Sequence, residues 1–170
     1  MKKRSLEIKW AIIFCLMTLL WMIGEKLAGL YSYNIALHEY ITNLILIPSA
    51  LIYVLALREK KKKDFNGKMS YIKILISGMI LSLMISLLCP LVLYITYTFI
   101  SPEYFGHAIQ YAVSTKQASL AEAQKYFTFE TYLFQGMFCG PIIGFIQTAL
   151  IGLFLKTREE SHFKNTSTIQ

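Results

Sequence analysis

Residues 74–100 read ILISGMILSLMISLLCPLVLYITYTFI and contain no charged side chain. A helix of that length extends for about 40 Å. The hydrocarbon core of a bilayer is about 30 Å thick, so such a helix is long enough to cross it with some tilt. The sequence therefore predicts a membrane helix over about residues 72–100.

Three further apolar segments have a similar character, and they predict membrane helices over about residues 10–30, 37–57 and 131–155. The chain of 170 residues is 55% hydrophobic and 16% charged. This composition is more apolar and less charged than that of soluble domains, and it excludes a disordered chain. We expect an all-α bundle of four transmembrane helices.

The predicted organisation is a single membrane domain over residues 10–157, between a cytoplasmic N-terminus (1–9) and a disordered cytoplasmic tail (158–170). The basic start, Met1 to Arg4, also fits a signal peptide. The charged pair at residues 25–26 precedes the weak cleavage sequence at residues 27–29, which is unfavourable for cleavage. We therefore expect an uncleaved signal anchor.

The basic residues predict the orientation, because cytoplasmic loops of membrane proteins are enriched in lysine and arginine. With both ends in the cytoplasm, fourteen basic residues lie inside and only Lys26, Lys116 and Lys125 lie outside. Arg58 and Lys60 to Lys63 then anchor the second helix and are placed to contact anionic lipid headgroups. This distribution favours topology over nucleic-acid binding as the reason for the basic charge.

Residues 101–130 form the predicted outer loop, and their pattern indicates short amphipathic helices. Ser101-Pro102-Glu103 is a favourable helix start, and apolar residues then recur at helical spacing. Ser119 and Glu122 have the spacing of a capping box. We expect these helices to lie on the outer leaflet or on top of the bundle.

Small residues recur every four positions in the third and fourth apolar segments, which is typical of close helix packing in membranes. The sequence leaves open whether these faces pack against each other, across a homodimer or against another membrane protein. The residues are Gly78, Ser82, Ser86, Gly136, Gly140 and Gly144.

Three prolines, Pro48, Pro90 and Pro141, lie within the apolar segments and predict kinks. Each removes one backbone donor and frees the carbonyl four residues earlier. A packed kink is the common outcome in membrane helices. The alternative is a hinge or an exposed carbonyl in a transport path.

Ionisable residues near the outer ends of the helices are the candidate functional residues, because charges are costly in the membrane. A polar cluster at the outer mouth could carry protons or bind a cation, although interfacial positioning and helix capping also explain its members. The cluster comprises Glu25, Lys26, His38, Glu39 and Glu130.

The sequence contains no catalytic triad, phosphate-binding loop, dinucleotide motif or zinc-ligand spacing, so we expect neither an enzyme nor a cofactor. The three cysteines, Cys15, Cys89 and Cys139, all lie in apolar segments and indicate packing rather than disulfides. An enzyme acting on lipid near His107 is a distant alternative.

The order of several short motifs resembles the bacterial membrane proteins grouped as domain of unknown function 4199. The motifs span residues 5–158 and include Trp21-x-x-x-Glu25-Lys26, Ile47-Pro48, Ser101-Pro102-Glu103-Tyr104-Phe105 and Tyr132-x-x-Gln135-Gly136. Tyr31 departs from the family pattern, where histidine is commoner after Gly-Leu. The resemblance implies a four-helix inner-membrane protein and implies no activity.

From these features we expect a multi-pass membrane protein that acts as a structural, interaction or accessory component. The alternative is a small oligomeric transporter or channel that uses Glu25 and the proline-kinked helices.

Overall fold

The computed structural model describes residues 5–157. The predicted disordered tail at residues 158–170, and the first four residues, lie outside the described part of the chain. Within residues 5–157 the secondary structure is entirely helical, as predicted. Judged by length and composition, each of the four long helical segments could cross a membrane.

The first long helix, α1, spans Ser5–Leu27. The second long segment consists of α2 (Ile35–Thr42), a 3₁₀ turn (Asn43–Ile45) and α3 (Leu46–Asp64). The third is α4 (Tyr71–Ile95) with a π-helical turn, Thr96–Ile100. The fourth is α7 (Phe129–Leu155). Between the third and fourth lie the short helices α5 (Tyr104–Ser114) and α6 (Leu120–Tyr126).

Helix α4 is the centre of the bundle, because it packs against α1, α3 and most extensively α7. Small residues allow this close approach. A β-carbon added at Gly78 would collide with Thr148, and one added at Gly144 would collide with Ser82 and the Tyr53 hydroxyl. The small residues of α4 and α7 therefore pack against each other within one chain.

Gly136 and Gly140 differ in their surroundings, although both belong to the same row on α7. A β-carbon at Gly136 would collide with Cys89 Sγ of α4. At Gly140 it would meet no described atom within 4 Å. Ser86, also on α4, donates a hydrogen bond to α7. Gly140 is thus the member of the row that lies outside the α4–α7 contact.

The three prolines occupy different positions in their helices. Pro48 falls in the first turn of α3, where the missing N–H removes no bond within that helix. Pro90 and Pro141 lie inside α4 and α7. The carbonyl that Pro141 frees, at Met137, accepts a 2.7 Å hydrogen bond from the Ser86 hydroxyl. The carbonyl that Pro141 leaves without a donor in α7 is therefore satisfied by α4.

Large apolar side chains cover the outside of the bundle, as expected for a protein that lipid surrounds. Each of the four long segments contributes such residues, including Leu20, Ile47, Leu87 and Phe154, which are all more than two-thirds exposed. In water, an apolar surface of this extent would be an association site. Together with the length of the helices, it indicates a membrane protein.

Candidate functional site

The turn after α1 places Tyr31 back against the end of that helix. Gly29 has φ of +72°, which a residue with a side chain rarely adopts. The Gly29 N–H donates to the Lys26 carbonyl at 2.9 Å and the Leu30 N–H donates to the Glu25 carbonyl at 3.0 Å. This pair of bonds is a Schellman motif, and it reverses the chain so that the Tyr31 side chain returns to Glu25.

The Glu25 carboxylate is buried in a set of hydrogen-bond donors, and only 3% of the residue is exposed. Trp21, one turn earlier on α1, donates from Nε1 to Oε1 at 2.7 Å. The Tyr31 hydroxyl donates to Oε2 at 2.6 Å. His38 Nε2 of α2 lies 3.8 Å from the same oxygen. The hydrogen bonds from Trp21 and Tyr31 offset the cost of burying the carboxylate.

Aromatic side chains from four segments surround this carboxylate. The Tyr31 ring lies edge-on to Tyr104 of α5, with centroids 5.1 Å apart, and 5.2 Å from the His38 ring. The hydroxyls of Tyr104 and Tyr132 of α7 lie 3.0 Å apart. His107 Nδ1 of α5 donates to the Tyr31 carbonyl at 2.8 Å. We call this region, with Tyr31, Tyr97, Tyr104 and Tyr132, the tyrosine end.

The phenols of the tyrosine end that lie outside the long helices are held in their neutral form. Burial raises the pKa of Tyr31 well above its usual range, and the neighbouring Glu25 carboxylate raises it further. Burial and the contact with Tyr132 raise the pKa of Tyr104 in the same direction. These phenols therefore act as stable hydrogen-bond donors and apolar ring surfaces rather than as bases.

Two cavities adjoin the Glu25 assembly. The first has a volume of about 460 Å³ and lies between α2, α4, α5, α6 and α7, with Tyr31 and His38 in its wall. The second has a volume of about 420 Å³ and is mostly apolar, with Trp21, Glu25 and Pro48 in its wall. Volumes in this range suit small-molecule ligands. We call the first the tyrosine cavity and the second the proline cavity.

The structure brings together part of the polar cluster expected from the sequence. Glu25 and His38 are in contact. Among the described residues, neither Lys26 nor Glu130 forms an ion pair, and both are exposed. Glu39 is also exposed and lines the tyrosine cavity. The five residues therefore do not form one cluster around Glu25.

The expected polar cluster did not include Trp21 or Tyr31, the two residues that donate hydrogen bonds to Glu25. The spacing of Trp21 and Glu25, one helical turn apart, was a usable signal, because such residues share one face of a helix. Tyr31 carried no comparable signal, since its contact with Glu25 depends on the turn at Gly29. The contact of Tyr104 with Tyr31 depends on how α5 packs on the bundle.

The opposite end of the bundle carries a second set of buried charges, which we call the lysine end (residues 7–10, 58–69 and 155–157). Lys60 of α3 pairs with the buried Glu7 of α1. Glu59 accepts from Lys9 and from Trp10 Nε1, both at 2.7 Å. Lys61 Nζ donates to the Leu155 carbonyl at 2.7 Å, which closes the end of α7. Several lysines assigned to the membrane anchor thus also bond within the protein.

Residues 5–157 contain no group of three or more histidine, cysteine, aspartate or glutamate side chains placed to hold a metal ion. Glu7 Oε2 is the buried side-chain oxygen for which the described residues provide no partner. A cavity of about 10 Å³, the size of one water molecule, lies beside Glu7.

A family model described as Protein of unknown function (DUF4199) matches residues 9–157. The chain belongs to this family. No curated protein and no solved structure matches it. The match covers α1 from residue 9 onward and all of the other helical segments, so the tyrosine end of this DUF4199 protein lies within the family domain.

Proposed function

We propose that this protein is a multi-pass component of the bacterial inner membrane that binds a small molecule or lipid at its tyrosine end and catalyses no reaction. The observation that carries the proposal is the tyrosine cavity of about 460 Å³ beside the buried carboxylate of Glu25. Elsewhere in the bundle, close contacts between α4 and α7 provide a rigid scaffold for that cavity.

The absence of catalysis is part of the proposal, and the chemistry of the cavity wall supports it. The raised pKa values of Tyr31 and Tyr104 keep these phenols protonated. Both carboxylate oxygens of Glu25 already accept hydrogen bonds, one from Trp21 and one from Tyr31. Groups in these states bind and orient a ligand better than they abstract protons.

The proposed orientation places the lysine end in the cytoplasm, together with both termini. Four helix ends meet there, and the described chain carries Lys9, Arg58, Lys68, Lys73 and Lys156 near them. The positive-inside rule favours this arrangement. In this orientation the exposed Arg58, Lys62 and Lys63 are placed to contact the anionic headgroups of the inner leaflet, whereas Lys60 and Lys61 bond within the protein.

Native mass spectrometry of the protein, released from membranes in mild detergent, tests whether the cavity holds a ligand. We expect the parent protein to retain a small molecule or lipid. Ala112→Phe fills the cavity from the buried face of α5 and should release it, whereas Val113→Phe, outside the cavity wall, should not. Gln117→Trp at the exposed rim gives a second blocking variant if Ala112→Phe fails to fold. If the parent and both blocking variants retain the same ligand to the same extent, or none of them retains one, the proposal is overturned.

A transporter is the second candidate, and one observation favours it. Glu25 and Trp21 belong to the wall of the proline cavity, and Tyr31 and His38, which contact the Glu25 carboxylate, belong to the wall of the tyrosine cavity, so one assembly borders both spaces. Transport predicts that Glu25→Gln abolishes an ion-coupled flux in proteoliposomes, whereas the exposed Glu130→Gln leaves it unchanged. If no flux depends on Glu25, this candidate fails and the binding proposal stands.

A further inference from the structure

The wall of the tyrosine cavity is unusually rich in phenol rings. Six tyrosines line it, namely Tyr31, Tyr97, Tyr104, Tyr111, Tyr126 and Tyr132. The face of an aromatic ring carries partial negative charge and attracts cations. Rings grouped around one space are the usual means by which proteins bind alkylated ammonium groups.

The charged side chains at the cavity also favour a cation. Glu39 belongs to the wall, and the buried Glu25 carboxylate lies directly behind Tyr31 and His38. No lysine or arginine occurs among the described residues of the wall. Lys26 lies in the wall of a separate cavity, with Glu103 and His107. An anion in this cavity would therefore face the Glu39 carboxylate with no lysine or arginine of the described wall beside it, whereas a cation would be attracted to that carboxylate.

We propose that the tyrosine cavity binds an organic cation, an ammonium group that carries an apolar substituent. This inference rests on the binding function proposed above and specifies its ligand class. The apolar part of the ligand would contact Leu93 and Ile35, and the ammonium group would lie against the phenol rings on the side of Glu39. A free amine compound and the headgroup of an ethanolamine lipid share this chemistry.

The test compares two probes that have the same benzyl group and opposite charge. Benzyltrimethylammonium and phenylmethanesulfonate are titrated calorimetrically into the full-length protein in maltoside micelles, with empty micelles as the blank. We expect the cation to bind saturably and the anion to bind at least about tenfold more weakly. Equal affinity for the two probes, or no saturable binding of the cation, would overturn the proposal.

Variants of the wall locate the binding. Glu39→Gln and Tyr111→Leu should each weaken cation binding about three- to tenfold. Tyr111→Phe keeps the ring and should restore binding to near the parent value. Cation binding that is unchanged in both weakening variants would place the site elsewhere and contradict the inference.

Competition by lipids distinguishes the two possible sources of the cation, a free amine compound and a lipid headgroup. If an ethanolamine headgroup is the natural occupant, phosphatidylethanolamine added to the micelles should weaken benzyltrimethylammonium binding, whereas phosphatidylglycerol should not. If neither lipid competes, a free organic cation is indicated. A molecule retained in the native mass spectrum that the cation does not displace would refute the ligand class and leave the binding function intact.

Discussion

The Ser86 hydroxyl of α4 donates a 2.7 Å hydrogen bond to the Met137 carbonyl of α7. Met137 lies four residues before Pro141, whose ring nitrogen carries no hydrogen, so α7 itself provides no donor at that position. A neighbouring helix thus completes the hydrogen bonding that a proline interrupts. In lipid this matters more than in water, because no solvent can take the place of the missing donor.

Removing this hydroxyl should destabilise the bundle. We expect Ser86→Ala to lower the free energy of unfolding by about 0.6–1.7 kcal/mol, the range found for hydrogen bonds between membrane helices. Unfolding with SDS in mixed micelles measures the change. In a Pro141→Ala background the restored N–H serves Met137, so the same substitution should cost less. Equal costs in the two backgrounds would show that Ser86 does not act through this carbonyl.

Two glycines of α7 give a second test of packing. We expect Gly144→Ala to destabilise the bundle by about 1–3 kcal/mol, because its methyl group collides with Ser82 and Tyr53. The matched Gly140→Ala enters open space and should be close to neutral. Thermal unfolding in detergent distinguishes them, and a comparable loss at Gly140 would contradict this arrangement.

The mass of the protein in micelles addresses packing between copies separately. If a second chain packs on the open face at Gly140, Gly140→Leu should reduce the mass without lowering the unfolding midpoint. An unchanged mass would argue against a dimer through this face.

Tyr31 should contribute to stability through Glu25. We expect Tyr31→Phe to cost about 1–3 kcal/mol, because the buried carboxylate loses one donor and gains none. Tyr33→Phe is the control, since Tyr33 is 79% exposed. In a Glu25→Gln background the cost of Tyr31→Phe should fall, and a double-mutant cycle measures that coupling. Strictly additive costs would show that the two residues act independently.

The lysine end offers a contrast between a buried and an exposed ion pair. We expect Lys60→Met to destabilise the protein by about 3–5 kcal/mol, because it leaves the Glu7 charge buried without its partner. Lys63→Met removes an exposed partner of Glu59 and should cost less than about 1 kcal/mol. The double variant Glu7→Leu with Lys60→Met should recover much of the loss. Similar losses for the two single variants would contradict the assigned burial.

The proposed orientation predicts which loops an impermeant maleimide can reach. In a background without the three native cysteines, Gln124→Cys at the tyrosine end should be labelled in intact spheroplasts. Ser70→Cys, next to the lysine end, should be labelled only after permeabilisation. Both positions are exposed, so their reactivity should be the same in detergent. Labelling of Ser70→Cys but not Gln124→Cys in intact spheroplasts would show that the orientation is the opposite one.

Much of the fold could be predicted because hydropathy is a property of short segments. The apolar segment at residues 74–100 indicates a membrane helix without reference to any other part of the chain. The capping box at Ser119 and Glu122 also acts locally, and the structure contains both of its hydrogen bonds. Such features depend on neighbours within four residues, which a sequence displays directly.

The candidate site could be predicted only in part. Glu25 was identifiable because a carboxylate in an apolar segment is costly. His38, on the next helix, belongs to the same expected cluster, and its Nε2 lies 3.8 Å from the Glu25 carboxylate in the structure. Glu130 and Lys26 were grouped with them because all lie near one end of the bundle, but sequence position gives no information about which way each side chain faces.

Which segments leave water follows from the sequence, because each residue contributes to that transfer free energy independently of its partners. Which polar group bonds to which depends on how the helices pack. Ser49 bonds to Gln147, and Ser86 bonds to the Met137 carbonyl, across separate helices. Such pairs depend on the relative rotation and depth of two helices. Those are fixed by the packing of the whole bundle, and no local stretch of sequence encodes them.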